Sequence, residues 1–190
     1  MNNNSKIKIF ATAATFAIGT MFAADAFAAD NPMVGGAEMA PNKTIVENAS
    51  QADNLTTLVA AVKAAGLAET LSGKGPFTVF APTNAAFEKL PEGTVDELLK
   101  PENKDKLKAI LTYHVVAAKA TSKAAMKMIE DDGGKHAAPT VQGDELTLMM
   151  DGDNLVVEDA QGNTATVTQA DVMQSNGVVH VIDTVLMPSM

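Results

Sequence analysis

Apolar side chains take up helical spacing from Leu55 onward. Leu55, Leu58, Val59 and Val62 recur three and four positions apart, as on one helix face. Asp53 or Asn54 can cap the start, and Gly66 ends the helix because glycine enters the left-handed closing conformation without a steric cost. Residues 67–71 predict one more turn before Ser72-Gly73. Phe77-Thr78-Val79-Phe80 has strand character and is broken by Pro82-Thr83-Asn84. Residues 85–90 then read as a short helix capped by Thr83 or Asn84. Residues 94–99 make a further turn, and 103–111 a longer helix with Leu107, Ile110 and Leu111 inward. Residues 113–116 read as a strand, and 122–130 as a helix with Met126 and Ile129 on one side.

After Gly133-Gly134 the period changes. Leu146, Leu148 and Met150 alternate, Asp151-Gly152-Asp153-Asn154 turns the chain, residues 155–158 return, and Gln161-Gly162-Asn163 turns it again before 164–168. Two-residue periodicity punctuated by Gly, Asp and Asn is the pattern of hairpins. Residues 178–186 are β-branched on both faces, which predicts a strand buried on both sides. A mainly helical first half and a mainly stranded second half give an α+β fold, with several helices packed to one side of an antiparallel sheet system.

The two N-terminal segments differ from this. Lys6 and Lys8 precede an uncharged stretch, residues 9–24, which is followed after Asp25 by Ala26-Phe27-Ala28. A basic start, a short apolar run and small residues around a bulky one predict a signal peptide over residues 1–28, cleaved after Ala28. The run is shorter and more polar than a bilayer span. Residues 29–42 hold Pro32, Gly35, Gly36 and Pro41 with little apolar period and predict a flexible lead-in; residues 43–188 form the domain. The expected location is therefore periplasmic or secreted, with no membrane insertion after cleavage.

Charge and composition narrow the function. The chain carries 14 basic and 23 acidic residues, and every basic residue is a lysine. Losing Lys6, Lys8 and Asp25 with the signal takes the net charge from −9 to −10. Such a chain repels nucleic acid and anionic lipid, and without arginine it lacks the bidentate grip on phosphate. The absence of cysteine removes disulfides, thiol chemistry and a lipid-attached signal; the absence of arginine removes twin-arginine export.

Candidate chemistry is sparse. No serine stands in a Gly-x-Ser-x-Gly turn, and His114, His136 and His180 show no metal-ligand spacing. Asp151-Gly152-Asp153-Asn154 fails as a calcium loop, because its sixth and twelfth positions hold Val156 and Gly162. Neither Met126 and Met128 nor Met149 and Met150 share a face, which disfavours a copper site and leaves a Met-lined groove for an apolar ligand as the alternative. His180, on an apolar strand, is expected to be buried with one hydrogen bond, and Asp183 to lie on the opposite face. No cofactor, metal or catalytic residue is expected.

Three segments stand in order: Phe77-Thr78-Val79-Phe80-Ala81-Pro82-Thr83-Asn84-Ala85-Ala86-Phe87, then Tyr113-His114-Val115-Val116, then Asn176-Gly177-Val178-Val179-His180-Val181-Ile182-Asp183-Thr184-Val185-Leu186-Met187-Pro188. Together they resemble the fasciclin-domain family in its single-domain exported bacterial branch. The outer two are similar to the family's signature blocks, and the middle one to its Tyr-His dipeptide. Ala117-Ala118-Lys119 departs from the family's frequent Pro-Gly-Lys. The resemblance implies a wedge of two β-sheets with several helices. It also implies adhesion, matrix contact or extracellular binding, in some members of apolar small molecules, and no catalysis. The expected function is an exported, non-catalytic adhesion module whose partner is a cell-surface or matrix protein or a glycan. The alternative is a carrier of a lipid or carotenoid. Candidate residues for contact or for holding the fold are Tyr113, His114, Thr83, Asn84, His180 and Asp183. Recognition is expected near Tyr113, while His114 is expected to be buried and to hydrogen-bond to the Asn84 turn.

Overall fold

The computed structural model describes residues 31–189, so the expected signal peptide and cleavage after Ala28 lie outside the described residues. Among the described residues no helix is long and apolar enough to cross a membrane.

The fold is centred on two strands distant in sequence, β3 (Phe77–Pro82) and β9 (Gly177–Ile182), which pair in parallel with Phe77 opposite Gly177 and Pro82 opposite Ile182. All six residues of β9 are buried, as branched side chains on both faces require. On one face Val79, Ala81, Val179 and Val181 meet apolar residues of helices α1 (Ile45–Ala49), α2 (Thr56–Ala65), α3 (Ala68–Ser72), α4 (Asn84–Glu88), α5 (Thr94–Leu98) and α6 (Lys104–Tyr113). On the other, Phe80 and Ile182 meet Leu146, Leu148, Leu155, Val157 and Ala165.

Those last residues belong to the hairpin strands β6 (Glu145–Asp151), β7 (Asn154–Glu158) and β8 (Thr164–Gln174). With β4 (Val115–Val116) and β5 (Lys135–Pro139) the sheet order is β4-β3-β9-β8-β7-β6-β5. The wedge expected from the resemblance takes the form of a continuous seven-stranded sheet that faces itself across the second core. The bend lies in β8, whose register against β9 shifts at Val167/Gln169 and again at Gln169/Val172. Irregular pairing of this kind bends a strand and increases its twist. One expectation is corrected. The sheet is not wholly antiparallel, because β3 and β9 run together. Six helices do pack to one side, as expected, while α7 (Ser122–Asp131) contributes Ala125 and Ile129 to the second core.

The lead-in also takes a definite shape. Strands β1 (Met33–Val34) and β2 (Ala37–Glu38) form a two-stranded hairpin with Gly35 and Gly36 at positive φ, and Val34 and Met39 are buried in the helical core. Asp53 donates its N–H to the Gly35 carbonyl at 3.1 Å, tying the hairpin to the domain. Two apolar anchors are too few to make a period, so composition alone suggested looseness.

Candidate functional site

Tyr113 and His114 lie at a helix end and not on a strand. Tyr113 closes α6, His114 is its C-cap, and only Val115 and Val116 pair, antiparallel, with β3. Both side chains are fully buried. Enclosed in this way, Tyr113 offers no recognition surface. Its hydroxyl donates to the Glu145 carbonyl at 3.0 Å and accepts from the Ala160 N–H at 2.9 Å. Burial pushes its pKa above the ordinary phenol value, against the opposing Ala160 hydrogen bond.

His114 hydrogen-bonds elsewhere than to the Asn84 turn. Its Nδ1 lies 2.8 Å from the Ile110 carbonyl, one helical turn back, and its Nε2 accepts from the Leu186 N–H at 3.0 Å. One nitrogen must donate and the other accept, which fixes the neutral tautomer with the proton on Nδ1. Burial drives the pKa down to about 4, against opposing contributions from the Ile110 bond and the Asp159 charge.

The carboxylate of Asp159, which no sequence signal distinguished from an ordinary turn residue, completes this arrangement. It is buried and accepts from the N–H groups of Gln161 (2.9 Å), Asn163 (2.8 Å) and Met187 (2.9 Å) and from the Asn163 side chain (3.0 Å). Leu186 and Met187 are therefore tied to His114 and Asp159 respectively. The last segment of the chain is strapped across the end of α6 and the β7–β8 turn.

Thr83 and Asn84 divide two tasks. Thr83 is the N-cap of α4 and accepts from the Ala86 N–H at 3.3 Å. Asn84 serves α2 instead: its Oδ1 accepts from the Thr57 N–H (3.0 Å), and its Nδ2 donates to the Asp53 carbonyl (3.0 Å) and the Thr56 hydroxyl (2.9 Å). It thereby supplies, from another helix, the acceptor that the first turn of α2 lacks.

His180 is buried on β9, stacked on Phe80 with ring centroids 5.6 Å apart. Its Nε2 donates to the Ala120 carbonyl at 2.8 Å, and its Nδ1 accepts, at 3.4 Å, from the N–H of Asp171. Asp171 sits in β8 at φ 57°, and its carboxylate accepts from the N–H (2.7 Å) and hydroxyl of Ser122 at the start of α7. Burial lowers the His180 pKa. Asp183 makes no pair with His180. It accepts from the Thr166 N–H (2.9 Å), the Thr184 hydroxyl (3.0 Å) and the Lys89 ammonium (3.1 Å). Burial opposes its charge, but these donors outweigh that and hold the carboxyl below its ordinary value.

Each candidate side chain is thus engaged in hydrogen bonds within the fold, mostly with backbone groups far away in sequence. None is left as a nucleophile beside a free base, the pairing that covalent catalysis needs. Among the described residues no three His, Asp or Glu side chains gather as metal ligands. Asp151 pairs with Asn154 across a two-residue hairpin turn with Gly152 at φ 61°. A mostly apolar cavity of about 220 Å³ lies between α7 and the sheet, against Phe80, Leu148 and several alanines. Met128 is the one methionine in its wall, so the expected Met-lined groove is not formed there.

Two outcomes follow from this geometry. Protonating His114 would turn its Nε2 acceptor into a donor facing the Leu186 N–H. The unfolded chain takes up that proton near pH 6.5 and the folded one only near pH 4. The stabilisation is therefore present above pH 6.5 and is lost as pH falls toward 4, by roughly 3 kcal/mol in total. Melting temperature measured from pH 7 to pH 4 should fall more steeply for the native chain than for His114→Gln; equal slopes would refute the assignment. For Tyr113→Phe the ring still fills its place and only the hydroxyl bridge is lost, a cost of about 1–2 kcal/mol. Urea titration should give a lower midpoint with an unchanged slope.

The chain matches the model of the Fasciclin domain over residues 53–188. It is 52% identical over 147 residues to Protein sll1483 of Synechocystis sp., covering 77% of this chain and 74% of that one. It is 40% identical over 169 residues to the cell surface glycolipoprotein MPB83 of Mycobacterium bovis, covering 85% and 69%. Among solved structures it resembles a FAS1 domain pair from the insect cell adhesion molecule Fasciclin I, with a TM-score of 0.70 and 21% identity, over 77% of this chain and 51% of that one.

Proposed function

Because the chain belongs to the fasciclin-domain family, we propose that it is an exported, non-catalytic binding module of a bacterial cell envelope or extracellular space. The observation that carries this reading is that the family's recognisable residues are spent on the fold. Tyr113, His114, Thr83, Asn84 and His180 all saturate backbone groups and leave no reactive pair. A relative at 40% identity bears the description of a cell surface glycolipoprotein, which supports an envelope location. Contact with a cell-surface or matrix protein or a glycan then falls to exposed loops, since the Tyr113-His114 dipeptide is enclosed.

Two measurements test the proposal. N-terminal sequencing of the exported protein should begin at Ala29; retention of Lys6 would end the export reading. Purified mature protein should co-sediment saturably with isolated envelope material, and failure to do so at micromolar concentration would end the binding reading. A second role, carriage of a lipid or carotenoid, has the 220 Å³ cavity in its favour. That space is below the roughly 300–1,000 Å³ usual for small-ligand sites. A chromophore or lipid extracted from protein purified from its native host would establish it.

A further inference from the structure

An open cleft of about 480 Å³ lies where β3 and β9 begin, walled by Thr44, the 72–76 loop, Lys119 and the 174–177 turn. None of its lining residues is acidic, in a chain with 23 acids against 14 lysines. Lys74 and Lys119 are exposed there, and neither is in an ion pair among the described residues. An anion is repelled by the chain as a whole, so a cleft whose lining carries two exposed ammonium groups and no acid differs locally from the rest; the one carboxylate bonded to its wall, Glu47, is engaged by the N–H and hydroxyl of Thr44.

The walls are braced. The Asn176 side chain donates to the Leu71 carbonyl (2.7 Å) and the Gly73 carbonyl (3.0 Å), and accepts from the Ile45 N–H (3.1 Å). Three wall segments therefore meet at one side chain. Gly75 lies so close to the turn that a Cβ there would stand 1.9 Å from the Asn176 carbonyl oxygen. Lys74 is thus carried between two anchored glycines, which reduces the ordering that binding would demand.

The lining also limits the ligand's chemistry. Ser72 and Ser175 offer hydroxyls with no side-chain hydrogen bond among the described residues, and no aromatic side chain lines the cleft. A lipid would find too little apolar surface, and a peptide would lack the apolar centre that protein interfaces use. The volume falls within the range of small-ligand sites and exceeds what a lone inorganic anion fills. We propose that this cleft binds a carboxylate-bearing sugar, a uronate unit of an acidic polysaccharide. Its carboxylate meets Lys74 and Lys119, and its hydroxyls meet Ser72 and Ser175. The proposal rests on the binding role given above and names the chemistry of the partner.

Calorimetric titration of the mature chain with trigalacturonate, a neutral trisaccharide, inorganic phosphate and a short polyglutamate peptide tests it. Trigalacturonate should bind at least tenfold more tightly than the other three and weaken with added salt. In K74Q/K119Q its affinity should fall at least tenfold while the melting temperature stays unchanged. Equal binding of phosphate or peptide, or unchanged affinity in the double variant, would overturn the proposal. Native protein that co-sediments with envelope material yet ignores trigalacturonate would sink the cleft alone; protein that does neither would sink the binding role as well.

Discussion

Replacing His114 with alanine should lower the melting temperature by roughly 10 °C. The substitution orphans the Leu186 N–H and the Ile110 carbonyl, both buried with their partner. An unsatisfied buried group costs about 1–3 kcal/mol, and the space left by an imidazole adds a cavity penalty of similar size. A domain of this length loses about 2–4 °C per kcal/mol. Release of Leu186 also loosens its neighbour Met187 from Asp159, so the segment ending at Pro188 should become a site of protease attack. Differential scanning calorimetry and limited proteolysis check the two halves of this expectation. A variant that melts like the native chain but no longer binds its partner would make His114 a contact residue and refute the structural role.

Gly177→Ala should be more damaging still. A Cβ at that position would stand 2.0 Å from the carbonyl oxygen of Phe77, a backbone atom of the paired strand that no rotamer change can move away. Relief requires β3 and β9 to separate, yet both cores are built on opposite faces of that pair. The expected cost exceeds about 4 kcal/mol, the range reserved for severe core disruption. Soluble yield should collapse, and any recovered protein should lack a cooperative thermal transition by circular dichroism. A Gly177→Ala protein with native melting would show that the two strands approach less closely than described.

Much of this fold was legible in the sequence where one period persists over a whole element. The helix from Thr56, the hairpins after Gly133-Gly134 and the doubly buried last strand all carry such a signal. Tyr113 to Val116 misled because four apolar or aromatic residues in a row fit a strand as well as the end of a helix. Strand β8 outran its predicted length because its bulges interrupt the alternation. Tyr113, His114, Thr83, Asn84, His180 and Asp183 can be singled out in the sequence, but not the groups they bond. Asp159 and Asp171 look like ordinary loop acids, and their importance comes from N–H groups at Met187 and Ser122 that only the folded chain brings near. His114 was expected to meet the Asn84 turn; the helix end turns it toward Leu186 instead.

The parallel pairing of β3 with β9 has a temporal consequence. A nascent chain finishes residue 82 about a hundred residues before residue 182, and until then its central strand has no parallel neighbour. Closing so long a loop is slow relative to forming local helices and hairpins. The helices can flicker during synthesis, but neither core can close around a sheet whose middle is missing. Completion therefore waits until residue 182 has been made and has left the ribosome, so everything built before it stays open at its centre.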